Sequence, residues 1–252
     1  MRKAEKGTVY LVGAGPGDPE LLTLRAASLL QSADVVYHDD LVSEQVLALA
    51  QSNALVVSVG KRCGAKRVTQ GEINTRLIET ARRGLSVVRL KSGDPLIFGR
   101  AAEELAALAA AGIASEVVPG ISAAIAAAAA IRCSLTNRDI SSSVLFTTGH
   151  HAAQQDPDLP PTRIVYMPGS DLRNYAQQRI SAGDPPDLPC IIVCRVSQPD
   201  QTILRTTLRD LGSATVTASP AVLLVGWALA SLTLPTLVPE QPANSLVPAQ
   251  EL

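Results

Sequence analysis

Val9-Tyr10-Leu11-Val12-Gly13-Ala14-Gly15-Pro16-Gly17-Asp18-Pro19-Glu20-Leu21-Leu22 is the stretch whose reading decides the fold. An apolar, β-branched run ends in three alternating glycines, so a strand ends where the backbone lies bare and another group can approach it. Asp18 reads as a helix N-cap, with Pro19 at the first helical position and Glu20 in the first turn. Strand, glycine loop and helix in that order place a ligand site at the carboxyl end of a parallel strand. The spacing is G-x-G-x-G with Pro16 inside. A pyrophosphate cradle needs donated N–H groups, and proline has none to give, so the loop does not fit a nicotinamide dinucleotide.

The pattern repeats outward from this start. Strands are expected at Thr8–Val12, Val35–His38, Leu55–Val59, Ser86–Leu90 and Ser115–Val118. Helices are expected at Pro19–Gln31, Ser43–Ala50, from the Thr69–Glu72 capping box to Gly84, and at Ala101–Ala111. Such alternation predicts a mainly parallel sheet covered on both faces, forming a first α/β domain over residues 1–118. Pro119-Gly120 opens an alanine-rich helix to about Ala130. A second α/β domain with a mixed sheet is expected over 119–234, with strands at Ser143–Thr147, Ile164–Met167, Cys190–Cys194, Thr202–Thr206 and Ala221–Gly226 and a helix at Leu172–Ser181. The loop 151–162 reads as exposed, and residues 235–252, rich in Pro, Ala and Gln, as a disordered tail.

Composition narrows the class. With 252 residues, 46% hydrophobic and 18% charged, the chain is a folded protein whose core is Leu, Val, Ile and Ala, since aromatics are 3%. A net charge of −1 argues against general nucleic-acid binding. The longest apolar run, around Ile121–Ala130, is far short of the roughly 20 residues that span a bilayer. Four cysteines fit a reduced, cytoplasmic setting better than a disulfide scaffold. Cys190 and Cys194 lie about 13 Å apart along one strand, too far for a bond. The three histidines have no metal-ligand spacing with them, so no metal is expected.

A second strand–glycine–helix junction stands at Arg89-Leu90-Lys91-Ser92-Gly93-Asp94-Pro95-Leu96-Ile97-Phe98-Gly99-Arg100. Asp94 there either accepts hydrogen bonds from a ligand or caps its own turn. Asp39, just after the second strand, is placed either as a general base or as a helix N-cap. Lys61 and Arg62 follow the third strand. With Arg100, Arg138 and His150 they put cations on loops of a chain with almost no net charge, which suits a polyanionic small molecule.

The blocks GAGPGDPELLTL, Asp39-Asp40-Leu41-Val42-Ser43, VGKR, RLKSGDPLIFGR, EVVPGISAA, SLTNRD and TTGH, with the strand ending at Tyr166-Met167, resemble the tetrapyrrole methylases over about residues 7–228. Order and spacing are nearest to the branch that methylates uroporphyrinogen III at two ring carbons, giving precorrin-2. The resemblance implies a homodimer of two-domain chains with S-adenosylmethionine in a cleft between the domains. It places Pro16, Ser92, Gly93, Asp94, Ile97, Ser122, Ala123, Met167, Val196 and Ala221 around the cofactor. It makes Asp39 the proton acceptor and Lys61 the proton donor, and turns Arg62, Arg100, Arg138 and His150 toward substrate carboxylates. The chain departs from the family pattern at His38, Asp40, Ser92, Asn137 and Cys194–Val196. The alternatives are methylation of another precorrin, or a carrier that binds cofactor or tetrapyrrole without turnover.

Overall fold

A computed structural model describes residues 2–60, 68–137, 139, 143–146, 160–169, 171–196 and 198–230. The chain divides into two compact units, residues 1–150 and 151–252, where the sequence reading set the break after Val118.

In the first unit β1 (Thr8–Gly13), β2 (Val35–His38), β3 (Leu55–Ser58), β4 (Val87–Lys91) and β5 (Ala114–Val118) form a sheet in the order β3-β2-β4-β1-β5. Every neighbouring pair is parallel. Between the strands run α1 (Leu24–Leu30), α2 (Glu44–Leu47), α3 (Gln70–Arg82) and α4 (Ala101–Ala110). Strand period two divides the core into two layers. Tyr10, Val12, Val36, Val88 and Leu90 pack with Leu29 and Leu30 of α1 and Val46 of α2. Val9, Leu11, Val35, Tyr37 and Val87 pack with Ile73 and Leu77 of α3 and Leu108 of α4. The two-sided cover predicted from the alternation is present, and the strands agree with expectation to within a residue or two.

The helices are shorter than expected in two places. The single helix expected over Pro19–Gln31 is a 3₁₀ turn at Pro19–Leu21 followed by α1. Leu22 is extended, and the Thr23 hydroxyl accepts the Ala26 N–H, so a second N-cap inside the run stops one helix and starts another. After Ser43, only Glu44–Leu47 is α-helical; the Leu49 and Ala50 N–H groups turn to carbonyls three residues back. The Thr69–Glu72 capping box is formed on both sides.

Past β5, Ser122 caps α5 (Ala123–Ala130), which belongs to the first unit. The connection into it is tied back: the Gly120 N–H donates to Asp94 Oδ2 at 3.0 Å. Residues 143–146 hold no strand, against the strand expected at Ser143–Thr147. The loop expected at 151–162 lies mostly outside the described residues, and the expected tail wholly so.

In the second unit β6 (Arg163–Tyr166), β7 (Pro189–Cys194), β8 (Thr202–Thr207) and β9 (Ala221–Val225) form a sheet in the order β6-β9-β7-β8, with α6 (Leu172–Ser181) between β6 and β7 in the chain. Every neighbouring pair is antiparallel, where a mixed sheet was expected. The reason is topological. β6 and β7 run the same way through the crossover helix α6, but β9 inserts between them and replaces the parallel contact with two antiparallel ones. Leu172 and Ala176 of α6 cover a core of Cys190, Ile192, Leu223 and Val225. Asp184 accepts from Arg163 (3.0 Å) and Arg179 (2.7 Å), fastening the end of α6 to β6.

Candidate functional site

Three strand ends meet backbone to backbone at the carboxyl edge of the first sheet. The Gly15 N–H donates to the Gly93 carbonyl (3.2 Å) and the Gly93 N–H to the Gly15 carbonyl (2.8 Å), joining the loops after β1 and β4. Gly120, after β5, lies against both. A Cβ on Gly120 would stand 2.3 Å from the Gly93 oxygen, and one on Gly13 would stand 2.6 Å from the Gly120 Cα. Only glycine fits these two positions, whatever their φ. Gly15 and Gly93 also hold φ of 68° and 67°, in the left-handed region.

Asp94 pins this junction. Its Oδ1 accepts the Leu96 N–H (2.8 Å) and its Oδ2 the Gly120 N–H (3.0 Å), so the turn-capping reading holds and extends to the third loop. Pro16 is exposed at the tip of the first loop, Ser92 is half-buried, and Leu96, Ile97 and Phe98 are exposed beside them. The edge is therefore bare backbone flanked by apolar side chains. Ser122 and Ala123 begin α5, where the Ser122 hydroxyl accepts the Ala124 N–H at 3.2 Å.

Asp39 directly follows β2 on the same edge. It is not a helix cap: Ser43 fills that role for α2, accepting the Val46 N–H, and also donates to the Gly17 carbonyl at 2.6 Å. Asp39 Oδ1 accepts from Arg89 Nη2 at 2.5 Å. Arg89 Nε donates to Glu104 Oε1 (3.0 Å), and Lys91 Nζ donates to both oxygens of Glu104 (3.0 Å each). Arg89 and Lys91 are 2% exposed and Glu104 is 0%. Burial, then the Arg89 charge, pulls the Lys91 pKa below its ordinary value, with Glu104 and Asp39 opposing.

Sequence reasoning missed Arg89, Lys91 and Glu104. The signal was available. Two cations at alternate positions of a central strand face the same covered side, and buried cations require a buried anion nearby. In the first turn of the next helix, Glu103 and Glu104 are the acids within reach.

Arg100 donates to its neighbour Glu103 through Nε and Nη2 at 2.8 Å each, and that hydrogen bond raises its pKa. Both side chains are about half exposed. Lys61, Arg62, Arg138 and His150 lie outside the described residues. In the second unit Met167 follows β6 with φ 49° and is 86% exposed. Val196 is exposed, and Ala221 is buried opposite Cys194. Burial raises the Cys190 thiol to about 12, which makes it an inert core residue. Among the described residues no His, Cys, Asp and Glu cluster could hold a metal, and no helix is long and apolar enough to cross a membrane.

The class these features define is an α/β enzyme working at the carboxyl edge of a parallel sheet, with a loop built for something other than phosphate. The chain belongs to the Tetrapyrrole (Corrin/Porphyrin) Methylases, whose model matches residues 8–212, and it is a methyltransferase. It is 43% identical over 235 residues to the uroporphyrinogen-III C-methyltransferase of Paracoccus denitrificans, covering 89% of this chain and 82% of that one. It is 45% identical over 231 residues to a siroheme synthase of Gluconacetobacter diazotrophicus. That match takes in 87% of this chain and 49% of the relative, so the chain spans about half the length of the siroheme synthases it matches. Among solved structures it resembles a Thermus thermophilus uroporphyrin-III C-methyltransferase, with TM-score 0.52, 40% identity, and coverage of 87% of this chain and 92% of that one. It also resembles a cobalt precorrin-4 methyltransferase, with TM-score 0.54, 32% identity, and coverage of 88% and 96%.

Proposed function

We propose that the chain transfers methyl groups from S-adenosylmethionine to two ring carbons of uroporphyrinogen III, giving precorrin-2. The observation that carries this reading is the 43% identity to the Paracoccus enzyme along most of both chains. The site residues fit the cofactor. S-adenosylmethionine has no phosphate, so a loop with Pro16 at its tip loses nothing by lacking that N–H. With no side chain at Gly15 and Gly93 the cofactor can approach the main chain closely, and the apolar Ile97 offers a nonpolar wall. Ser122 and Ala123 stand where α5 presents its first N–H groups. Met167, Val196 and Ala221 are the contributions we assign to the second unit. Asp94 acts through the loops it pins.

When bound, S-adenosylmethionine supplies an electrophilic methyl on a sulfonium. The protein's own residues hold the electron-rich pyrrole carbon in line with that methyl and manage one ring proton. Asp39 accepts this proton or stabilises the positive charge that builds on the ring, and Lys61 returns a proton where one is required. Arg62, Arg100, Arg138 and His150 bind the substrate's carboxylates through charge-assisted hydrogen bonds. For Arg100 this requires exchanging Glu103, a half-exposed partner worth about 0–1 kcal/mol. We infer further that the enzyme works in the cytoplasm as a homodimer.

The test is anaerobic incubation with uroporphyrinogen III and S-adenosylmethionine, read by product mass. A gain of two methyl groups supports the reading; no gain overturns it. The similarity to the cobalt precorrin-4 methyltransferase favours a second reading, methylation of a later precorrin. That reading predicts a mass gain only with such a substrate. Asp39→Asn should lower turnover by about 10²–10⁴-fold with cofactor affinity unchanged by calorimetry. Equal loss of both would show that Asp39 has no chemical role.

A further inference from the structure

The buried cations behind Asp39 form a directed arrangement. Arg89 and Lys91 leave β4 on one face, toward the layer covered by α3 and α4. Glu104, in the first turn of α4, receives both, and Gln70 Nε2 at the start of α3 also donates to it at 3.2 Å. Lys91 holds both oxygens of Glu104 and so fixes the plane of that carboxylate. Arg89 is held in turn by Nε on Glu104 and by Nη1 on the Leu90 carbonyl at 3.2 Å. A guanidinium is planar, so with Nε and Nη1 fixed the direction of Nη2 is fixed too. Nη2 points to Asp39 Oδ1.

The charge count gives this arrangement its direction. Arg89, Lys91 and Glu104 together leave one positive charge in a buried place, and Asp39 is the carboxylate that cancels it. A pair serving stability alone could close on itself, with Arg89 bidentate on Glu104. Here Glu104 is completed by Lys91, and Arg89 is left to reach the strand end. Asp39 is held by one oxygen, with its side chain 32% exposed. Its Oδ2 has no hydrogen-bond partner among the described residues.

We propose that Arg89, locked in place by Glu104, is a positioning residue that fixes the rotamer of Asp39 and turns its second oxygen to the reacting edge. The inference rests on the role proposed above for Asp39. Arg89 and Glu104 are buried behind Asp39, which alone of the three is partly exposed. They act through one carboxylate, so among the kinetic and binding constants a conservative change at either should be felt in turnover alone.

The test is steady-state kinetics with uroporphyrinogen III and S-adenosylmethionine on Arg89→Lys, Glu104→Gln, Asp39→Asn and the doubles with Asp39→Asn, with cofactor affinity from calorimetry. Arg89→Lys keeps the buried charge, but an ammonium has no fork to serve two carboxylates at once. It should lower kcat by about 10²-fold, the cost of an ångström-scale misplacement, leaving KM for uroporphyrinogen III and the cofactor affinity unchanged. In the Asp39→Asn background the same change should cost nothing more, because the residue it acts through is gone. Glu104→Gln examines the relay without altering Arg89. Its Oε1 still accepts from Nε, so a smaller loss of kcat is expected, also absent in the Asp39→Asn background. The proposal is overturned if Arg89→Lys leaves kcat intact while Asp39→Asn abolishes it, or if the two losses multiply in full. It is overturned equally if KM rises and cofactor affinity falls in step with the loss of kcat, as they would from general loosening. If Asp39→Asn itself leaves turnover unchanged, the role of Asp39 fails first and the positioning claim falls with it.

Discussion

The strand pair β2–β4 carries an aspartate at each end, and the two are built differently. At the amino end Asp34 is saturated. Its Oδ2 accepts the Ser86 N–H (2.7 Å) and hydroxyl (2.6 Å), and Lys6 donates to both oxygens at 2.7 and 2.8 Å. At the carboxyl end Asp39 is held through Oδ1 by a single guanidinium. Five residues apart and flanking one strand, the first carboxylate stitches strands together and the second is kept partly unspent. Saturation is the mark of a structural carboxylate here. One-sided anchoring from a buried cation marks a carboxylate held ready for another partner.

The hardest way to break this comparison is to remove the anion behind the carboxyl end. Glu104→Leu would leave Lys91 without a carboxylate and Arg89 with half of its support, both buried. Loss of one partner of a buried ionic group costs about 3–5 kcal/mol. The check is a drop in the urea midpoint with an unchanged slope. A loss below about 1 kcal/mol would mean that water reaches the cluster and that its charges are not confined.

The loop junction gives a smaller effect with a built-in control. Gly120→Ala places a Cβ 2.3 Å from the Gly93 oxygen, so backbone must shift, at about 1–3 kcal/mol. The same substitution at Gly71, inside α3 and with nothing nearer than 4.0 Å, should stabilise by up to about 1 kcal/mol through helix propensity. Thermal melts of the two variants should move in opposite directions. Matching shifts would show that the strand-end loops can part without cost.

Much of this was legible in the sequence because local chemistry and fold agree. Alternating apolar runs and the Thr69–Glu72 capping box placed the first sheet and its cover, and the glycine blocks marked the edge. What was not legible depended on partners distant in sequence. That Asp94 ties a third loop to its own turn depended on Gly120, 26 residues away. Whether Asp39 was a cap turned on Ser43 taking that position and on Arg89 arriving from another strand. In the second unit, strands were found at nearly the right places but the sheet type was missed. The insertion of β9 between β6 and β7 is a choice of order, which periodicity within a strand cannot express. Thr23 is a different case: its capping chemistry is local, but it was hidden inside an otherwise continuous helical pattern.

The amino end of the pair gives the gentlest test, and it is one of pH. The Lys6 ammonium, then the Ser86 hydroxyl and N–H, hold the Asp34 carboxyl down at about 2, against 3.8 for a free side chain. Between those values the unfolded chain binds a proton that the folded chain does not, so folding stability falls as the solution is acidified. The contribution of Asp34 is therefore complete above about pH 5 and is lost as pH drops through 4 toward 2. Lys6 is 67% exposed, so the part of the effect that it supplies should shrink in salt, while the part from Ser86 should persist. Urea unfolding from pH 6 to pH 2.5, for the parent and for Asp34→Asn, isolates the contribution. The variant should be the less stable at pH 6, and the gap should narrow as the pH falls. A gap that stays constant would mean that Asp34 acts by shape and hydrogen bonding alone. The saturated carboxylate would then differ from Asp39 in its partners only, and not in the charge it carries into folding.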